Sequence, residues 1–380
     1  MLEDRAKITI GNATSSLIAG TLGNDNNLKY IGSDFERGMN HLYQALNYLK
    51  VNKLDSALVE IRAASNVQKM AAANREGKLF DAQSKISQYK FSPNIAEALT
   101  ESQQIVRSAK SKFLNPYIFY VSGNLRELKG DYNSALVEYK NALELNPNNK
   151  YILQDVLRLS KIYDPSTYLM LKNSTKVKEI TQQEYDNSNT ILVIYEQDFV
   201  PSKSSIPGAI YIDGKVVSIS LPAYLGKQGG LNNVNVVLSN PSKEIVGKDS
   251  TMELGNIFTL AHNDLAEKYS GILLRQITRI VSKIAVQNQM QNDTVALLSG
   301  IAMALTENAD LRSFRTLPSY VQVAKINTPQ DFDSLEVTIS SVKNVKVTNL
   351  KLKKQEVAII YIIDTGGYVY SNIIYKSKKM

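Results

Sequence analysis

Cysteine is missing from all 380 residues, which excludes disulfides, thiolate metal sites and cysteine nucleophiles. Histidine is nearly missing: His41 and His262 are the only two, too few for a histidine metal cluster within one chain. No metal, cofactor or catalytic group is therefore expected. A long apolar run is missing as well. The most apolar stretch, VALLSGIAMALT at 295–306, falls short of the about 20 residues that cross a bilayer. The opening MLEDRAKITIGNATSSLIAG carries acidic residues near its start and no apolar segment after a basic one, so it does not read as a secretory signal. On these features the chain is expected to be soluble.

Complete chemical motifs are also scarce. Asp364-Thr365-Gly366 follows an apolar run and resembles the aspartic-protease triplet, in which two carboxylates share a proton. It occurs once, with too little chain after it for such an enzyme; a turn with Gly366-Gly367 supplying positive φ is the better reading. Gly247-Lys248 lacks the upstream glycine of a phosphate loop, because Ser242 stands there. No serine sits in a nucleophile-elbow setting. His262 near Asp264 leaves an acid–base pair open beside the plainer reading of ordinary helix residues. The net charge of +8 can favour nucleic acid, anionic lipid or an acidic partner, or reflect a lysine-rich solvated surface. Basic residues interleaved with aromatics are lacking, so no nucleic-acid partner is expected. Four-residue spacing puts Arg275, Arg279 and Lys283 on one helical face, opposite Ile277, Ile280, Val281 and Ile284. That stripe is either a basic contact face or a solvated one. Arg312 and Arg315 are expected to be structural, pairing with Glu307 or Asp310.

What is present is an ordinary folding composition, 43% hydrophobic and 21% charged, over a length that suits two or three domains of about 150 residues. The first half has helical spacing, with Phe35, Met39, Leu42, Leu46 and Leu49 three and four apart. Asn52-Lys53 marks a turn, and a second helix follows through Ala57, Leu58, Ile61 and Ala64. Helix continues over 71–112 with a break at Ser92-Pro93. A hairpin over 116–145 stops at Asn146-Pro147, and one more helix covers 151–162. Beyond a polar stretch the period falls to two: 190–195, a hairpin over 210–219 with Asp213-Gly214 at its turn, and 233–238. Helix returns over 252–308, and strands close the chain near 320–326, 335–339, 345–352, 357–363 and 368–375. The expected fold class is α+β: an all-α region over 1–165, a linker over 166–189, and an antiparallel sheet domain with inserted helices over 190–380.

GNLRELKGDYNSALVEYKNALELNP matches the 34-residue tetratricopeptide unit, whose paired helices cross at small residues. With Pro147 as its closing proline, Phe119 is the large residue of the first helix and Gly123 the small one. Ala135, Tyr139 and Ala142 fall on the small, aromatic and small positions of the second. Gly123 and Ala135 allow close approach, Tyr139 is expected to fill space toward a neighbouring hairpin, and Gly130 makes the turn. Ser122 and Arg126 depart from the usual Leu and Tyr. HLYQALNYLKVNKLDSALVEIRAA is a weaker copy through Ala45, Tyr48, Ala57, Ile61 and Ala64, with Lys69 in place of the proline; two ordinary helical hairpins remain the plainer alternative. Either arrangement predicts a groove, lined by Tyr117, Tyr120, Asn124 and Glu127, that receives a protein partner.

YIGSDFERGMNHLYQALNYL, GDYNSALVEYKNALELNP, GILLRQITRIVSKIA and ENADLRSFRTLPSYVQVAKI together resemble an uncharacterised family of bacterial lipoproteins that carry tetratricopeptide repeats. The block from Ala309 to Pro318 is the most specific part. The resemblance implies export to the periplasm or outer membrane, with membrane association only through a lipid anchor on a cysteine that this sequence lacks. It implies no catalytic residues. The expected function is a non-enzymatic protein-interaction scaffold of the cell envelope; the alternative is a cytosolic adaptor or chaperone of similar architecture.

Overall fold

The computed structural model describes residues 29–107, 114–212, 214–226, 229–232, 234–289, 309–328, 331–341, 344–353 and 355–378; over 72–81, 105–107, 283 and 285–289 only the backbone is described. Short polar signals fix the helix ends. Glu36, in the first turn of α1 (Asp34–Lys50), reaches back to accept from Ser33 N at 2.7 Å. Asn52, at φ 62°, turns the chain into α2 (Leu54–Ile86), the left-handed region being one that asparagine enters at little cost. A two-residue strand, β1 (Lys90–Phe91), precedes α3 (Pro93–Arg107). Asn115 caps α4 (Pro116–Leu128) through Tyr117 N, with proline at the first helical position. Gly130, at φ 79°, and Asp131, accepting from Ser134 N, start α5 (Tyr132–Leu145). Asn149 caps α6 (Lys150–Tyr163) and Asp164 caps α7 (Pro165–Ser174). The stretch expected as a linker thus carries α7 and then α8 (Gln182–Asp186), where Tyr185 is buried.

Among the described residues the strands form three sheets. A five-stranded sheet runs β12 (Val369–Ser377), β11 (Glu356–Asp364), β2 (Asn189–Phe199), β8 (Pro318–Thr328), β7 (Met252–Asn256). It is largely antiparallel, as expected, with one parallel pairing: β2 pairs β11 in parallel and β8 antiparallel. A four-stranded sheet runs β10 (Val345–Leu352), β9 (Phe332–Ser340), β5 (Asn235–Ser239), β6 (Ile245–Ser250). The third joins β1 to β3 (Ser204–Ile212) and β4 (Lys215–Ala223), so the helical half contributes a strand, with Lys90 opposite Tyr211. Residues 252–256 are strand β7 and not the start of a helix; α9 (Ile257–Gln289) begins immediately after it.

Helix and strand residues share one core. Met39 of α1, Tyr117 of α4, Val193 of β2, Leu273 of α9 and Ile360 of β11 belong to the same buried cluster. The loop between α5 and α6 is stitched to the sheet side: Asn146 and Asn149 both donate to Glu253 O at 2.8 Å, and Tyr151 Oη to Ser250 O at 2.6 Å. Inside the α4–α5 pair, a Cβ on Gly123 would lie 2.4 Å from the Tyr139 ring. Tyr139 thus packs onto Gly123 and Tyr120 of its own hairpin, whereas the sequence pattern predicts that it fills space toward a neighbouring hairpin. The missing side chain at 123 is what makes room for it.

Candidate functional site

Tyr117, Tyr120, Asn124 and Glu127 sit on α4, on one side as helical spacing requires, but they do not line an open groove. Tyr117 and Tyr120 are fully buried and the other two nearly so. The chain's own strands occupy that side. Tyr120 Oη donates to Asp155 Oδ2 of α6 at 3.0 Å, and Asn124 Nδ2 donates to Tyr120 O at 2.8 Å. Glu127 meets Arg158 at 2.6 Å and accepts from Tyr139 Oη at 2.8 Å. Lys325, from β8, reaches Asp155 at 2.8 and 2.9 Å and Asn124 Oδ1 at 3.3 Å. Arg158 also holds Asp155 at 2.9 Å and lies 4.0 Å over the ring of Tyr185. Two carboxylates and two cations thus close on each other between helices and sheet. Burial alone would raise the Asp155 pKa, but Lys325 and then Arg158 outweigh it and hold it below the usual range.

Tyr117 belongs to a second buried cluster. Its hydroxyl donates to Glu196 Oε1 of β2 at 3.2 Å, and Tyr43 of α1 donates to Oε2 at 3.3 Å. Tyr361 of β11 is a further hydrogen-bond partner. No cation pairs with this carboxyl among the described residues. Burial pushes its pKa up to about 7, only partly opposed by the three hydroxyls.

The other sequence candidates separate. Arg279 is buried, at 1% exposure, while Arg275 four residues earlier is exposed, and the Lys283 side chain lies outside the described residues. The two described arginines therefore do not form one solvated basic face. His262 packs on Phe258 at 4.3 Å and Tyr224 at 5.3 Å, and burial lowers its pKa. Asp264 instead pairs with Lys268 at 2.7 Å. Asp364 accepts from Gly366 N at 2.8 Å, from Asn344 Nδ2 at 2.9 Å and from Tyr195 Oη, and Gly366 has φ 82°. That triplet is a turn between β11 and β12. Gly247 and Lys248 lie in β6, paired with Leu238 and Val237.

The block from Ala309 to Arg315 forms something the spacing did not foretell. With Tyr30 and Ser205 it lines a cleft of about 710 Å³, within the range of ligand sites; the other lining residues are Leu311, Arg312, Ser313 and Arg315. The segment is irregular yet anchored. Glu36 Oε1 accepts from Phe314 N at 2.8 Å, and its Oε2 from Tyr30 Oη at 2.5 Å and Ser33 N at 2.7 Å. Asp310 holds the Arg312 guanidinium by a two-point fork of 2.8 and 2.7 Å, so that expected pair forms. The guanidinium lies 5.4 Å over the Tyr30 ring, and Lys203 Nζ donates to Arg312 O at 3.0 Å. Arg315 differs: it is exposed, and no ion pair holds it among the described residues. Glu307, its other expected partner, lies outside them.

Comparison with protein-family models, curated proteins and solved structures returns no match. The functional reading rests on the geometry and on the resemblance of the sequence blocks. Two residues central to the buried clusters, Glu196 and Lys325, were overlooked. Each is a charged residue in an otherwise apolar strand, TILVIYEQ and YVQVAKI, and a charge there demands a partner from whatever covers the strand.

Proposed function

We propose that the protein is a non-enzymatic interaction scaffold of the bacterial cell envelope, whose recognition surface is the cleft at 309–315 and not the concave side of the helices. The carrying observation is the disposition of the ionisable groups. Glu127, Asp155, Arg158 and Lys325 are buried and turned on one another between helices and sheet. Such closed pairs fasten two parts of a molecule together and leave none of these four groups facing a substrate. The anchored cleft, by contrast, is open to solvent. We read α4 and α5 as a tetratricopeptide-like pair, supported by Gly123 under Tyr139, by fully buried Ala135 and Ala142, and by Pro147 just beyond α5. The α1–α2 pair fits less well, because α2 runs on for 33 residues. The envelope location rests on the resemblance alone.

The test is a photo-crosslinking residue in place of Ser313, at the cleft, or of exposed Val137 on α5, each in the full-length protein in its native cells. A discrete adduct from position 313 and none from position 137 is expected. Absence of an adduct at 313, or the same adduct from both positions, would overturn the reading. Fractionation of the same cells separates the envelope from the cytosol, and cytosolic recovery would favour the adaptor alternative.

A further inference from the structure

We infer that the cleft at 309–315 binds an oxyanion, a carboxylate or phosphate group, with Arg315 as its principal ligand. The inference rests on the reading of the cleft as the recognition surface and adds its chemistry. Three residues that line the cleft carry donors without an acceptor among the described residues: Arg315 with its guanidinium, and Ser205 and Ser313 with their hydroxyls. The neighbouring donors are already engaged, Arg312 by Asp310 and Tyr30 by Glu36. Local charge points the same way. Lys203, Lys268, Arg312 and Arg315 stand against Glu36, Asp264 and Asp310, and each of those carboxylates already accepts from a named partner. Lys203 is half-buried behind Arg312, and burial, with Lys268 nearby, lowers its pKa. An anion held by Arg315 would relieve that excess of cation.

The geometry is pre-set. The chain from 309 to 315 has no helix or strand, yet Glu36 fixes the Phe314 amide, Lys203 fixes the Arg312 carbonyl, and Asp310 fixes the Arg312 side chain. A ligand would have to order only Arg315 and two serine hydroxyls. A guanidinium fork suits the paired oxygens of a carboxylate or phosphate, and the exposed Leu311 beside it suits an apolar group adjoining the anion.

Inorganic phosphate and succinate are titrated separately against the full chain, with sodium chloride at matched ionic strength as control, and the melting temperature is followed. A ligand that binds only the folded state raises it saturably. At least one of the two probes is expected to do so beyond chloride, and which one names the anion class. Arg315→Ala, a surface change that leaves the fold in place, is expected to weaken binding about tenfold, the loss of one charge-assisted hydrogen-bonded contact. Arg315→Lys should lie between. No response beyond chloride in the unaltered protein, or equal responses in Arg315→Ala, would overturn the inference. Failure of the crosslinking test with anion binding intact would remove the protein partner and leave the anion site standing; the reverse would keep the partner and remove the anion.

Discussion

Glu196 and Asp155 are buried to the same depth, at 2% and 3% exposure, and both tie helices to the five-stranded sheet. Their protonation goes opposite ways. Asp155 is met by Lys325 and Arg158 and is held ionised; Glu196 is met by tyrosine hydroxyls and is pushed up to about 7. Burial sets the size of the stake, and the charge of the neighbour decides its sign. The Asp155 cluster fastens α4 and α6 to β8 at any pH near neutral. At Glu196 burial disfavours the charge while the hydroxyls of Tyr43 and Tyr117 bond the ionised form better, and burial is the larger effect, so protonation removes a net cost.

The largest effect should come from breaking the charged cluster. Asp155→Ala removes the anion from between Lys325 and Arg158 and leaves Lys325 buried against neutral groups, the Asn124 amide and the rings of Tyr139 and Tyr185. Removing one partner of a buried pair typically costs about 3–5 kcal/mol, because the uncompensated charge stays inside. Urea unfolding at neutral pH measures it. A loss below about 1 kcal/mol would mean that the cluster is solvated and that the contrast with Glu196 is not one of charge pairing.

The pH dependence is the next test, and the two carboxylates predict opposite slopes. The folded pKa of Glu196 lies above its ordinary 4.5, so folding takes up a proton in that window. Its contribution is complete below the unfolded value and is lost as pH rises through about 7, in all roughly 3 kcal/mol. Asp155 has a depressed folded pKa, so its contribution is present at neutral pH and is lost as acid is added through that low value. Glu196→Gln keeps the shape and cannot ionise. It should flatten the slope of stability against pH between about pH 5 and about pH 8 while leaving the acid limb unchanged. A variant whose slope matched the unaltered protein would assign the titration to another group.

The unequal legibility of the molecule follows from the same physics. Turns and caps were readable because they are local: Gly130 and Gly366 have the positive φ their positions suggested, Asn52 lies in the turn its dipeptide marked, and α5 ends before Pro147. Buried strands such as β2 and β11 were readable as apolar runs. Strand β6 was not: as an outer strand it is at most half-buried, and the residues on its more buried side are Gly247 and Asp249, which give no apolar alternation. Strand β7 was absorbed into the apolar run of α9, and β1 exists only because Tyr211 and Ile210 lie beside it. The spacing put Tyr117, Tyr120, Asn124 and Glu127 on one face, but nothing local says what covers a face. The charges inside β2 and β8 carried that information. The cleft rests on contacts such as Phe314 N to Glu36, 278 residues apart, which no pattern of neighbours reports.

A smaller perturbation separates packing from charge. Gly123→Ala would drive a methyl into the Tyr139 ring, whose hydroxyl holds Glu127 of the charged cluster. Overpacking typically costs about 1–3 kcal/mol, offset in part by the roughly 1 kcal/mol that alanine gains over glycine in a helix. A net loss of about 1 kcal/mol is expected, largely absent in a Tyr139→Leu background, where the ring is gone. The pH slope assigned to Glu196 should not change. If it did, the two clusters would be one coupled network.

The smallest effect is expected where pairing is kept and burial is removed. Lys129, at the end of α4, meets Asp55 of α2 at 2.8 Å, as close as Lys325 meets Asp155, but the two side chains are 42% and 82% exposed. Water already solvates both ions, so little desolvation is at stake and the attraction is screened. Lys129→Ala should therefore cost about 0.5 kcal/mol or less, and added salt should remove even that. A cost approaching that of Asp155→Ala would show that distance and not burial governs these pairs. The contrast between the clusters would then have to be sought in their geometry.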